Sequence, residues 1–150
     1  MNVRVLETET WLPASVEEVF AFFSDAHNLE RLTPEFLRFQ VLTPKPIAMA
    51  AGTLIDYRLR LRGIPMKWRT EITEWVPGVR FADKQLRGPY RQWFHTHTFE
   101  EKDGGTLMRD RVEYIVPGGI LEPLIHPFVR RDVEGIFAYR TQVINEVFGG

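Results

Sequence analysis

The chain has 150 residues, of which 44% are hydrophobic and 13% aromatic, and this size predicts one globular domain over residues 1–150. Its 19 Lys and Arg residues against 20 Asp and Glu residues give a formal net charge of -1, which gives no global reason to expect nucleic acid or an anionic membrane as a partner. The absence of cysteine excludes disulfides, thiolate metal sites and a cysteine nucleophile.

No apolar run reaches the roughly 18 residues that a membrane-spanning helix needs, so we expect no membrane insertion. The first residues, "MNVRVLETETW", are charged and alternating, and they lack the apolar segment of a signal peptide. We therefore expect a cytoplasmic location.

The N-terminal part of the chain predicts a strand followed by two short helices. Residues 2–12 read as the strand. In "SVEEVFAFFSD", Ser15 at the N-cap and Glu18 three residues later form a capping box, and apolar residues follow at helical spacing. The segment "AHNLERLTP" predicts a second short helix that ends at Pro34.

The period then changes to two, which predicts six strands separated by Gly, Pro and Asp turns. They are "EFLRFQVLT", "GTLIDYRLRLRG", "MKWRTEITEW", "VRFADKQLRG", "YRQWFHTHTFEE" and "TLMRDRVEYIVP". One long helical pattern follows, with Pro127 in its first turn. The order predicts an α+β fold in which a curved antiparallel sheet of about seven strands wraps around the long C-terminal helix. A cavity between sheet and helix is compatible with this arrangement.

Alternation within the second of these six strands assigns its two faces. Tyr57 and its apolar neighbours must face the core, which places Arg58, Arg60 and Arg62 outside. That arginine face is either an interaction surface or an ordinary solvated sheet face, and acidic residues interrupt it. On the next strand Trp68 points inward by the same alternation.

The stretch "WFHTHTFEEKDGGTLMRDRVEY" predicts a hairpin that places polar groups inside. A turn at Asp103-Gly104 pairs Trp93 with Tyr114 and His97 with Asp110, and it faces His95 inward as well. Alternation also turns Asp83 inward, which is costly unless that carboxylate is paired or hydrated.

Three interpretations fit His95, His97 and Asp110. Two histidines and a carboxylate are ligands of zinc and non-haem iron; a histidine held by a carboxylate is an acid–base pair; and a buried His–Asp hydrogen bond can simply line a pocket. We predict no metal and no cofactor. Because an ionised partner outweighs partial burial, we also predict that the pKa of His97 lies above its ordinary value and above that of His95.

Several segments resemble a known family. "PASVEEVFAFFSDAHNLERLTP", "GIPMKWRTEITEW", "GPYRQWFHTHTF", "GGTLMRDRVEYIVP" and "VRRDVEGIFAYR" are similar to the SRPBCC (START/Bet v 1-like) superfamily, in its bacterial ligand-binding branch near the polyketide cyclase/dehydrase group. The resemblance implies the helix-grip fold with a deep hydrophobic cavity. Members of the superfamily bind lipids, hormones, polyketides or quinones, and only some catalyse reactions.

From these observations we expect a protein that binds a small, largely hydrophobic molecule, lipid-, polyketide- or quinone-like, between the sheet and the C-terminal helix. The expected ligand-binding residues are Tyr57, Trp68, Asp83, Trp93, His95, His97, Asp110, Tyr114 and Phe137. One alternative is a cyclase, dehydratase or hydrolase that uses His97 and Asp110 as its acid–base pair, with His95 as a further catalytic candidate. Another is an interaction module that works through the arginine face.

Overall fold

The computed structural model describes residues 2–149. Seven strands are present: β1 (Arg4–Leu12), β2 (Gln40–Val41), β3 (Leu54–Leu61), β4 (Ile64–Val76), β5 (Arg80–Arg87), β6 (Gln92–Lys102) and β7 (Gly105–Ile115). Three α-helices accompany them: α1 (Val16–Ser24), α2 (Leu29–Leu32) and α3 (Glu122–Gly149). The predicted α+β architecture, with short helices after the first strand and a long C-terminal helix, is confirmed.

All seven strands form one antiparallel sheet in the order β1-β7-β6-β5-β4-β3-β2. The predicted β6–β7 register is confirmed, with His97 opposite Asp110 and Trp93 opposite Tyr114. Asp103 and Gly104 both have positive φ, 50° and 77°, as a two-residue Asp-Gly hairpin turn requires.

The N-terminus of α1 is fixed by the predicted cap. The backbone N–H of Glu18 donates to Ser15 Oγ at 3.2 Å, which satisfies one of the donors left open at a helix start. The inward face of α1 buries Val19, Phe20 and Phe23, and Phe20 packs its ring edge-on against Phe99 of the sheet.

The strand predicted at "EFLRFQVLT" is largely wrong, since only Gln40–Val41 pairs with the sheet. Glu35–Leu37 instead forms a 3-10 turn directly after Pro34, and Arg38 follows it in the left-handed region, with φ 47°. This turn buries Leu37, so the alternating pattern reflects one anchored side chain and not an extended strand.

The long helix begins at Glu122, five residues before the predicted Pro127 start. Glu122 fixes that first turn through an ion pair with Arg4 of β1, with 2.8 Å between the carboxylate Oε1 and Nη2. Pro127 therefore lies inside the helix, on its exposed side. There the carbonyl of Pro123, which loses its intrahelical donor, is within reach of water.

The inner face of the sheet and the buried face of α3 enclose most of the core. From α3, Val133, Phe137 and Ile144 are buried against it. Among residues 2–149, no helix combines the length and the apolar character needed to span a bilayer.

Candidate ligand-binding cavity and its buried polar cluster

A cavity of about 170 Å³ lies between the inner face of the sheet and α3. Seven of the nine predicted site residues line it: Tyr57, Trp68, Asp83, Trp93, His95, His97 and Phe137. The walls are mainly apolar and aromatic, and Trp68 and Trp93 meet edge-on with ring centroids 5.4 Å apart. Four of the five aromatic residues expected in the walls therefore line the cavity.

Asp110 and Tyr114 do not line the cavity, although both are buried as predicted. Asp110 lies behind the two histidines and is bonded to both. Tyr114 packs beside Trp93, with ring centroids 6.1 Å apart, so its ring supports the wall and does not form it. Facing inward is thus necessary for contact with the cavity but does not ensure it.

The two histidines stack because they occupy alternate positions on β6. Residues two apart on a strand point to the same face, and the rings of His95 and His97 lie 3.6 Å apart with an interplanar angle of 27°. Phe81 of β5 continues the stack, with its centroid 4.0 Å from that of His97. This packing holds both imidazoles in fixed orientations.

The shortest hydrogen bonds of the cluster run diagonally between strands. His97 is opposite Asp110 in the register, yet the shortest contact of Asp110 Oδ1 is His95 Nε2 at 2.8 Å. Likewise Asp83 is opposite His95, but its Oδ2 lies 3.0 Å from His97 Nε2. The predicted contact between His97 and Asp110 is present, with 3.1 Å between Nδ1 and Oδ1, but each of the two side chains also has a second partner. Diagonal neighbours are within reach of side chains as long as imidazoles.

His97 lies between two carboxylates. Its Nε2 contacts Asp83, and its Nδ1 lies 3.1 Å from Asp110 Oδ1. A doubly protonated ring donates to both acids. A singly protonated ring that keeps its proton on Nε2 leaves Nδ1 as an acceptor, and Arg140 Nη2 lies 3.4 Å from that atom. The cluster thus provides partners for both charge states of His97.

Arg140 of α3 is the member of the cluster that the sequence reading missed. Its guanidinium is buried, with Nη2 3.3 Å from Asp110 Oδ1, and it lies 5.1 Å from the centre of the Phe23 ring. The signal was present, because Arg140 follows Phe137 by three residues and precedes Ile144 by four, on the buried stripe of the helix. A cation on an apolar helix face indicates a buried partner.

Burial and charge shift the pKa of each member in a definite direction. Burial raises the pKa of Asp110, but the charge of Arg140 and the hydrogen bonds from both histidines hold it well below its usual range. Burial lowers the pKa of His97, but the hydrogen bonds and charges of Asp110 and Asp83 outweigh it, so the net shift is upward. Burial and the neighbouring His97 lower the pKa of His95 to about 4. At neutral pH His95 is therefore uncharged.

Asp83, His95 and His97 also offer three potential metal ligands, with donor atoms all within 4.8 Å of one another. The sequence had suggested Asp110 as the carboxylate of such a set. The surroundings fit a divalent cation poorly, because the Nε2 atoms of both histidines already contact carboxylates and the Arg140 charge lies within 3.4 Å of His97. The absence of a metal stays a prediction.

Arg58 and Arg60 on the outer face of β3 are exposed, as the alternation predicted, whereas Arg62 lies beyond the end of β3, in the turn to β4, with φ 50°. Arg58 donates to the side chain of Gln40, and Arg62 lies 3.2 Å from Asp132 of α3. Part of this charge is thus already engaged within the chain. A role of this face in binding a partner stays a prediction, for which salt-sensitive association would be the test.

A long helix against a seven-stranded antiparallel sheet, with a lined cavity between them, defines the helix-grip class. The family described as "Polyketide cyclase / dehydrase and lipid transport" matches residues 12–137, and the chain belongs to this family. The resemblance noted in the sequence is thereby confirmed.

Three solved structures show the same fold. The Zhui aromatase/cyclase from Streptomyces sp. R1128 is 13% identical with a TM-score of 0.75, over 95% of this chain and 92% of that chain. The protein TTHA0849 from Thermus thermophilus is 19% identical with a TM-score of 0.73, over 96% and 99%. Ara h 8.0201 is 16% identical with a TM-score of 0.67, over 97% and 99%. No curated protein matches this sequence.

Proposed function

We propose that this protein binds a small, largely hydrophobic molecule that carries at least one polar group, in the cavity between the sheet and α3. The observation that carries the proposal is the cavity's division into aromatic walls and one buried polar cluster. Family membership supports it, because the family includes polyketide cyclases and lipid-transport proteins. Pockets of this composition are typical of small-molecule sites.

The apolar walls supply the binding energy. Apolar surface removed from water contributes about 25 cal/mol per Å². A dry apolar cavity of about 150 Å³ holds one benzene molecule, so a cavity of about 170 Å³ accepts a ring-sized group. Trp68, Trp93 and Phe137 offer ring faces and edges to such a group.

Asp83 is the member of the polar cluster that a ligand reaches most easily. Its side chain is 17% exposed, against 5% for His97 and 8% for His95. One carboxylate oxygen, Oδ2, is occupied by His97 Nε2. The other faces no hydrogen-bond donor among residues 2–149, so it is the position from which a ligand hydroxyl or amine would be recognised.

The charge of the cluster favours a neutral ligand. Asp83 and Asp110 are balanced by Arg140 and by His97 when that ring is protonated, and the pKa of His97 is raised. A carboxylate ligand would add an uncompensated charge next to Asp83. Burying an unpaired charge is costly, so a neutral hydroxyl compound should bind more tightly than the corresponding acid.

Isothermal titration calorimetry with 2-naphthol and 2-naphthoate tests this arrangement, because the two compounds share a ring system and differ in charge. We expect 2-naphthol to bind more tightly, and Asp83→Asn to reduce that preference. Equal affinities for the two compounds, unchanged by Asp83→Asn, would contradict the assignment of Asp83 as the residue that recognises the polar group of the ligand. Native mass spectrometry of the purified protein would then identify any natural ligand retained in the cavity.

Acid–base catalysis of the cyclase, dehydratase or hydrolase type is the second candidate function. The specific observation in its favour is that His97 lines the cavity between two carboxylates and has a raised pKa. In such a reaction His97 would move the proton and Asp110 would orient the ring. Both ring nitrogens already contact protein groups, however, so binding ranks first. A bell-shaped pH–rate profile in any turnover assay would favour the enzyme.

A further inference from the structure

The most exposed apolar surface of the molecule lies at the start of α3. Four side chains that precede or open this helix are exposed, together with one at the β3–β4 turn: Ile120 at 95%, Leu121 at 54%, Leu124 at 72%, Phe128 at 61% and Ile64 at 59%. We call these five residues the apolar tip. Isolated exposed hydrophobic residues are ordinary, but a contiguous group of them marks an interaction site.

The exposed face at the start of α3 and the β3–β4 hairpin meet at this surface. Leu124 and Phe128 are four residues apart and therefore share one face of α3. The β3–β4 hairpin reaches this face through Arg62, whose guanidinium lies 5.7 Å from the centre of the Phe128 ring and 3.2 Å from Asp132. Ile64 follows Arg62 by two residues, at the tip of the same hairpin.

Basic side chains are exposed on both elements that form the apolar tip. Arg60 and Lys67 are exposed on the hairpin, and Arg131 is exposed one helical turn beyond Phe128. The acids of this part of α3 are already engaged: Glu122 with Arg4, Asp132 with Arg62, and Glu134 with Arg130. The rim of the tip is therefore cationic even though the whole chain is nearly neutral.

We propose that the apolar tip docks the protein on the surface of an anionic lipid bilayer, without spanning it. Side chains as exposed as Ile120 and Leu124 project from the surface. A bilayer accepts projecting apolar groups at the boundary between headgroups and acyl chains without a matching pocket, whereas a protein partner must provide one. The surrounding arginines and lysine match anionic headgroups.

The tip also adjoins the cavity. Ile64 pairs with Leu61 in the β3–β4 hairpin, and Leu61 lines the cavity together with Val133 and Ile136 of α3. Docking through the tip places this end of the cavity next to the lipid phase. The docking itself is independent of which ligand the cavity holds.

Cosedimentation with vesicles tests the proposal. We expect the protein to pellet with vesicles of phosphatidylcholine and phosphatidylglycerol, less with phosphatidylcholine alone, and less in high salt. Leu124→Ser combined with Phe128→Ser should weaken binding to the anionic vesicles at least about tenfold, because it removes inserted apolar area. Phe36→Ser is the matched control, since Phe36 is 71% exposed but lies outside the tip.

Failure to pellet with the anionic vesicles, or equal pelleting of the wild type and the double variant, would overturn the proposal. Light scattering that shows a dimer lost in the double variant, without vesicle binding, would assign the tip to a second copy of the chain instead. Because all substituted residues are exposed, circular dichroism should show an unchanged fold. Arg131→Ser provides a second variant that removes charge alone, and it should weaken binding to the anionic vesicles only.

Discussion

Arg140 of α3 donates to Asp110 of β7 inside the core, with 3.3 Å between Nη2 and Oδ1. This contact joins the long helix to the sheet behind the two histidines of the cavity. Both side chains are buried, so each depends on the other for compensation of its charge. The ion pair makes the polar cluster part of the fold as well as part of the candidate site.

Removing the guanidinium should destabilise the protein strongly. Arg140→Met keeps most of the side-chain volume but leaves Asp110 without its cation, and breaking a buried pair in this way costs roughly 3–5 kcal/mol. Urea unfolding measures the change. Arg130→Met is the matched control, because its pair with Glu134 is on the surface and such a helical pair contributes about 0.3–0.5 kcal/mol. Similar losses of unfolding free energy in the two variants would contradict the buried ion pair.

NMR titration of the four histidines should separate the two of the cluster. We expect the pKa of His97 above its ordinary value, because Asp110 and Asp83 outweigh burial. A raised folded-state pKa gives stability that is fully present below the unfolded value of about 6.5 and is lost as pH rises through the folded value. Since two acids contribute, Asp110→Asn and Asp83→Asn should each lower this pKa. If the pKa of His97 has its ordinary value and neither substitution changes it, the arrangement of the two carboxylates around His97 would be contradicted.

The titration of His95 should change the stability with pH in the opposite direction to that of His97. Its pKa falls to about 4 in the folded protein, so its contribution to stability is present above the unfolded value of about 6.5 and is lost as pH decreases toward the folded one. The free energy of unfolding of the wild type should therefore decline through this window. His95→Gln retains a hydrogen-bond donor to Asp110 but does not titrate. Urea unfolding at a series of pH values should show a shallower decline of the unfolding free energy for this variant than for the wild type. The same pH dependence in both proteins would argue against a depressed His95 pKa.

Elemental analysis should find no stoichiometric zinc or iron in protein purified without an affinity tag. The Nε2 atom of His95 and both ring nitrogens of His97 already contact carboxylates, and Arg140 adds a positive charge beside them. A structural or catalytic metal would have to displace these contacts. About one equivalent of metal that disappears in His95→Ala would refute this prediction.

The sequence was sufficient to predict the sheet, the long helix and the β6–β7 register, because the Asp-Gly turn and the two-residue period each specify one pairing. The register fixes which residues are opposite, but side-chain torsions decide which acid each histidine bonds. That is why the diagonal contacts of Asp83 and Asp110 were not predictable. Arg140 differs, since its helical spacing alone marks it as buried.

The central claim is that the cavity between sheet and helix binds a hydrophobic molecule, and fluorescence titration with N-phenyl-1-naphthylamine tests it most directly. We predict binding with a Kd on the order of micromolar, weakened at least about tenfold by Trp68→Ala or Phe137→Ala, whose side chains line the cavity. Phe36→Ala, which alters an exposed ring outside the cavity, should bind like the wild type. Absence of binding, or binding that is the same in all three variants, would contradict the claim.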